Sequence, residues 1–111
     1  MKQRAIVLVP FPFSDQRGFK IRPALVVSND EFNKSSEDLI VCSLTTNRKN
    51  SRYLLPINED NLEDGILYEP TCIKVENIFK VQKSAVINTI ALINKTTFLK
   101  VNSLLSDLFK V

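Results

Sequence analysis

A chain of 111 residues has room for one compact domain, residues 1–111, and excludes large multidomain machinery. Its 44% hydrophobic and 24% charged residues suit a soluble globular protein and are too apolar for a disordered one. Histidine is absent, which removes imidazole from every catalytic and metal-binding scheme, and the net charge of +3 is only mildly basic. No run approaches the roughly 18 to 20 apolar residues of a membrane span. Lys2, Gln3 and Arg4 do not lead into a secretory signal. A cytoplasmic protein without a membrane partner is expected.

The charge is unevenly placed. Residues 1–52 carry nine Lys/Arg against five Asp/Glu, and residues 53–111 carry six against seven. Arg17, Lys20 and Arg22 form one basic cluster, and Arg48, Lys49 and Arg52 form another. Such clusters suit phosphate-binding loops, and equally a solvated surface.

Ala5 to Pro12, AIVLVPFP, is rich in β-branched and aromatic residues and holds prolines that a helix interior would reject; it predicts a first strand. The polar run from Phe13 to Ile21 predicts an exposed loop with Gly18 in its turn. Arg22 to Ser28, RPALVVS, predicts a second strand, with Pro23 favouring its start or a sheet edge. Asn29 to Glu37 is polar and reads as a loop with room for one helical turn. Asp38 to Leu44 predicts strand three, Thr45 to Ser51 a basic turn, and Arg52 to Ile57 strand four.

An acidic loop, NEDNLEDG, follows, with Gly65 as a turn. Its Glu59, Asp60, Glu63 and Asp64 do not match EF-hand spacing and read as a solvated turn. Ile66 to Tyr68, Thr71 to Phe79 and Val86 to Leu92 predict further strands. After Asn94, a candidate N-cap, Phe98, Val101, Leu105 and Leu108 recur at three- and four-residue spacing, the stripe of an amphipathic helix running to the C-terminus. Many short strands with turn signals, closed by one helix, give a mainly β fold with α: a small barrel with a C-terminal helix.

With two glycines, Gly18 and Gly65, the chain cannot form a Gly-rich phosphate loop. Cys42 and Cys72 lie in apolar β-like runs and read as buried structural thiols, with neither a disulfide framework nor a zinc motif. What remains is a set of arginines and hydroxyls at strand ends. Arginine binds a phosphodiester bidentately and stabilises charge developing on its nonbridging oxygens, and a hydroxyl adds a hydrogen bond. Such a site is suited to cutting RNA, whose own 2′-OH is the nucleophile, so that neither metal nor cofactor is required. Arginine is a poor base, which leaves the proton-transfer group unassigned.

Ile6 to Asp15, IVLVPFPFSD, followed by Gly18 and by Ile21 to Ser28, IRPALVVS, resembles the PemK/MazF family of type II toxin–antitoxin toxins. The likeness extends through Leu39 to Thr46, LIVCSLTT, and more loosely to the C-terminus. It implies an SH3-like β-barrel with a C-terminal helix, acting as a homodimer on single-stranded RNA without a metal, and neutralised by a cognate antitoxin. The products would carry a 2′,3′-cyclic phosphate and a 5′-OH. By the same resemblance Arg22 is the catalytic arginine and Thr45 the catalytic hydroxyl, with Thr46 and Ser43 as weaker substitutes. Arg17, Lys20, Thr46, Arg48 and Lys49 become candidate substrate contacts, and Phe13 and Phe19 candidate stacking partners. The chain departs from the family at Gln3, Arg4 and Ala5, where Arg-Gly-Asp or Lys-Gly-Asp is usual. Two other functions compete: a gyrase-poisoning toxin of the same fold, which would need a C-terminal tryptophan that this chain lacks, and an inactive RNA- or protein-binding barrel.

Overall fold

The computed structural model describes residues 1–12, 18–47 and 49–111. The elements, in order, are β1 (Ala5–Pro12), β2 (Phe19–Val26), α1 (Asp30–Ser35), β3 (Asp38–Thr45), β4 (Leu54–Ile57), β5 (Leu62–Gly65), β6 (Thr71–Gln82), β7 (Asn88–Ile93) and α2 (Lys95–Leu108). The strands form one antiparallel sheet in the order β4-β6-β3-β2-β1-β7-β5. Its ladder is open, with β4 and β5 as edges, so the barrel expected from the sequence is not closed by hydrogen bonds.

Strong curvature makes it barrel-like nonetheless. In the sheet β1 and β6 are three places apart, about 14 Å in a flat sheet. Yet the rings of Phe11 on β1 and Phe79 on β6 meet edge to face at 4.9 Å. The sheet therefore curls toward the face that carries them. On this concave face Val7, Val9, Ala24, Val26, Leu39 and Val41 are fully buried. The opposite face carries Ile6, Leu25, Cys42 and Ile73, and is covered by Phe98 and Val101 of α2. The stripe anticipated for α2 supplies that contact, and the Asn94 side chain accepts from the Thr97 N–H as its N-cap, at 2.8 Å.

The prolines show how the chain tolerates missing donors. Pro10 and Pro12 lie beyond the β1–β7 ladder, which ends at Leu8. Pro23 precedes the β2–β3 ladder, which begins at Ala24, and Pro56 sits on edge strand β4. Each occupies a stretch with one hydrogen-bonded neighbour, where an N–H is dispensable.

Several boundaries differ from the sequence reading. Strand β2 begins at Phe19, inside the expected loop, because Phe19 to Arg22 pair with Pro12 to Val9 although all four are exposed. The polar run after it holds the short helix α1, capped by Asn29. The acidic loop contains a 3-10 turn at Glu59–Asn61 and then strand β5, while Ile66 to Tyr68 is not a strand. Backbone pairing with β7 overrides the polar composition there. Gly65 is required for that approach: at φ 89°, a Cβ would lie 2.3 Å from the Ile90 carbonyl oxygen.

Arg4 stands where the family usually has glycine, and it keeps a glycine-like backbone at φ 82°. Its side chain anchors the turn, with Nη1 donating to the Ile93 carbonyl at 2.7 Å and pairing with Glu63 at 3.2 Å. The backbone on either side is tied to β2 and β7, through the Arg4 N–H to Val26 O and the Ile93 N–H to Arg4 O.

Candidate active site

The concave face changes character along β2 and β3. On β2 the residues pointing into it run Val26, Ala24, Arg22, Lys20, from fully buried to exposed. On β3 they run Val41, Ser43, Thr45, from fully buried to half-buried. Ala24 pairs with Ser43, and the same register carried two residues further sets Arg22 level with Thr45 on the same face. The two residues singled out by the family resemblance, 23 positions apart in sequence, thus share one end of the concave face.

Each is held by regular structure. Arg22 is opposite Val9 of β1. Thr45 closes β3 opposite Cys72, its carbonyl accepts from Thr71 Oγ1 at 2.9 Å, and its own Oγ1 accepts from the Asn47 N–H at 3.1 Å. The Thr45 hydroxyl therefore caps the turn that follows it, and that contact leaves its proton free to donate.

Next to Thr45 lies a pocket of about 190 Å³ lined by Thr45, Asn47, Lys49, Ser51, Leu54, Lys74 and Glu76. Lys49, a candidate substrate contact by the resemblance, is among its lining residues. Lys20 is exposed on β2 opposite Phe11, and Phe19 beside it is 69% exposed. Thr46 is exposed just past β3. Arg52 is engaged elsewhere, with its guanidinium paired to Asp107 of α2 and lying over the Tyr53 ring. Phe13, Arg17 and Arg48 lie outside the described residues.

Lys74 and Glu76 were missed from the sequence. They flank the buried Val75 on β6, a basic and an acidic residue two apart on a strand, and that alternation was the available signal. What brings Glu76 to the pocket is a bulge. Cys42 pairs with Ile78, but the next residue of β3, Ser43, pairs with Lys74, so Val75, Glu76 and Asn77 have no partner on β3.

Both cysteines are buried and free. Burial, with the Glu76 carboxylate adding to it, pushes the Cys42 thiol up to about 12, so it stays protonated and inert at neutral pH. Among the described residues no cluster of three Cys, Asp or Glu could hold a metal ion, and no helix is long and apolar enough to cross a membrane.

Residues 2–109 match the family model described as PemK-like, MazF-like toxin of type II toxin-antitoxin systems. The chain belongs to that family. No match was found among curated protein sequences. Among solved structures it is similar to an endoribonuclease in complex with its cognate antitoxin from a Mycobacterial species, with a TM-score of 0.78 at 18% identity over 96% of this chain and 92% of that one. It is also similar to the Mycobacterium tuberculosis toxin MazF-mt6, with a TM-score of 0.76 at 15% identity over 96% of both chains. The MazE-MazF complex of Deinococcus radiodurans gives 0.76 at 18% identity, over 97% of this chain and 94% of that one. These likenesses carry the fold: a MazF-like, open, curved sheet with a C-terminal helix.

Proposed function

We propose that this toxin is a metal-independent endoribonuclease acting on single-stranded RNA in the cytoplasm. The observation that supports the reading is the β2–β3 register, which, continued past Ala24 and Ser43, sets Arg22 level with Thr45, a residue that lines a pocket with Lys49, Lys74 and Glu76.

In this reading Arg22 binds the scissile phosphate and stabilises the charge that grows on its nonbridging oxygens as the phosphorane forms, while the Thr45 hydroxyl donates to one of them. The ribose 2′-oxygen attacks the adjacent phosphorus and its proton passes to the Glu76 carboxylate, the acceptor that lines the pocket. The bond from phosphorus to the 5′-oxygen breaks, and that oxygen takes a proton from the Lys74 ammonium. The products are a 2′,3′-cyclic phosphate and a 5′-OH. A cationic set with one lining carboxylate is a poor nest for a hard cation, and it supplies the charge stabilisation that a metal would otherwise give.

Lys20, Thr46 and Lys49 would contact flanking phosphates, joined by Arg17 and Arg48, and Phe19 would stack on a base. The antitoxin complexes of the structural neighbours support a cognate antitoxin here, whose acidic and apolar segment would compete with RNA for this face. Exposed Leu99 and Phe109 at α2 support pairing into a homodimer.

Pure protein incubated with a long single-stranded RNA in excess EDTA should cut it and leave cyclic-phosphate and 5′-OH ends. Loss of cutting in EDTA, restored by magnesium, would overturn the mechanism. Intact RNA together with inhibited gyrase would favour the competing toxin class.

A further inference from the structure

The β6 bulge is braced on both sides of Glu76. On one side Val75 is fully buried, its N–H donates to the Tyr53 carbonyl at 3.0 Å, and its own carbonyl accepts from the Cys42 thiol at 3.6 Å. On the other side Asn77 Nδ2 donates to Ser43 Oγ at 2.8 Å. Ser43 is buried on the concave face at 7% exposure, whereas Asn77 is exposed. An exposed amide has water within reach, so its turn inward to a buried hydroxyl fixes its own rotamer and the backbone that carries it. The bond spans the register break, which lies between Cys42 and Ser43: Ser43 is the first residue of β3 past it, and Asn77 is the last residue of the bulge on β6.

We infer that Asn77, acting through Ser43, is a positioning residue that holds Glu76 toward Thr45 and Lys74 in the pocket. The inference rests on the proposed role of Glu76 as proton acceptor. Three unpaired residues have more than one backbone arrangement open to them, and only an arrangement that aims residue 76 into the pocket is useful. Val75 alone fixes the entry to the bulge; the Asn77–Ser43 bond fixes its exit. Without it the carboxylate drifts, and a displacement near 1 Å at a reacting group costs on the order of 10²-fold in rate.

The test is a set of single-turnover cleavage assays on the full chain, with circular dichroism confirming the fold of each variant. Asn77→Ala should lower the saturating single-turnover rate by roughly 10- to 100-fold and leave the half-saturating enzyme concentration within about twofold. Ser43→Ala, a smaller change at a buried position, should do the same and decides the matter if Asn77→Ala does not fold. The readout that a merely structural role would not reproduce is epistasis. In a Glu76→Gln background Asn77→Ala should have no further effect, whereas in an Arg22→Lys background it should keep its full factor. Wild-type rates in both single variants, or effects that multiply with Glu76→Gln, would overturn the inference. A wild-type rate in Glu76→Gln would instead remove the proton-acceptor reading, and intact RNA with wild-type protein would remove the ribonuclease reading; both would take this inference with them.

Discussion

The two faces of β1, β2 and β3 share one backbone and differ in how far their apolar character runs. On the face beneath α2, the apolar set closes over Ile6, Leu25, Cys42 and Ile73 with Phe98 and Val101. On the concave face burial is complete only as far as Val9, Ala24 and Val41, and then gives way to Arg22, Lys20 and Thr45. A sheet that only needed a core would keep both faces alike. Here the concave face stops being a core toward Arg22, Lys20 and Thr45, whose side chains are carried by strands. In the proposed reading, rigidity comes from one face and chemistry from the end of the other.

That division is open to attack from both sides, and the largest effect should come from the core. Phe98→Ala empties a buried ring site between α2 and the sheet and should cost about 3–5 kcal/mol of stability. Cleavage per folded molecule should stay at the wild-type level in the cold. A folded Phe98→Ala protein that has lost cleavage would erase the separation between the faces. Next in size, Thr45→Val keeps the shape and removes the hydroxyl, and should slow cleavage by about 10²-fold with little change in melting temperature. An unchanged rate would reduce Thr45 to the turn cap that its contact with the Asn47 N–H already makes it.

The smallest effect belongs to the start of β1. A non-glycine residue at φ 82° carries strain of about 1–2 kcal/mol, which Arg4 offsets with its bonds to Ile93 and Glu63. Arg4→Ala loses those bonds and keeps the strain, whereas Arg4→Gly loses both. Chemical denaturation should therefore find Arg4→Ala less stable than Arg4→Gly by about 1 kcal/mol. The reverse order would mean that the turn bears no strain.

How much of this was legible in the sequence varied with the kind of force involved. β1 was readable to the residue, because its β-branched run and prolines are local signals. So was the start of α2, from its stripe and its Asn94 cap, although the helix stops at Leu108 and not at the C-terminus. Arg22 and Thr45 were reached through a resemblance, and the β2–β3 register, carried two residues beyond its last pair, sets them level on one face. The beginning of β2 was hidden because exposed Phe19 to Arg22 are held by backbone pairing to β1 and not by burial. β5 was hidden for the same reason, in a stretch whose composition says loop. Lys74 and Glu76 were the costliest omission. Their place depends on a bulge, a mismatch between two strands some thirty residues apart, and no window on a single strand contains it.

The central claim is that the polar end of the concave face performs the reaction. The most direct measurement is the single-turnover rate of RNA cleavage in excess EDTA for Arg22→Ala beside the wild type, with melting curves on both. Arg22 is exposed and outside both cores, so the variant should melt with the wild type while its rate falls by about 10²-fold or more. A folded Arg22→Ala protein that cuts RNA at the wild-type rate would place the reaction somewhere else on the molecule.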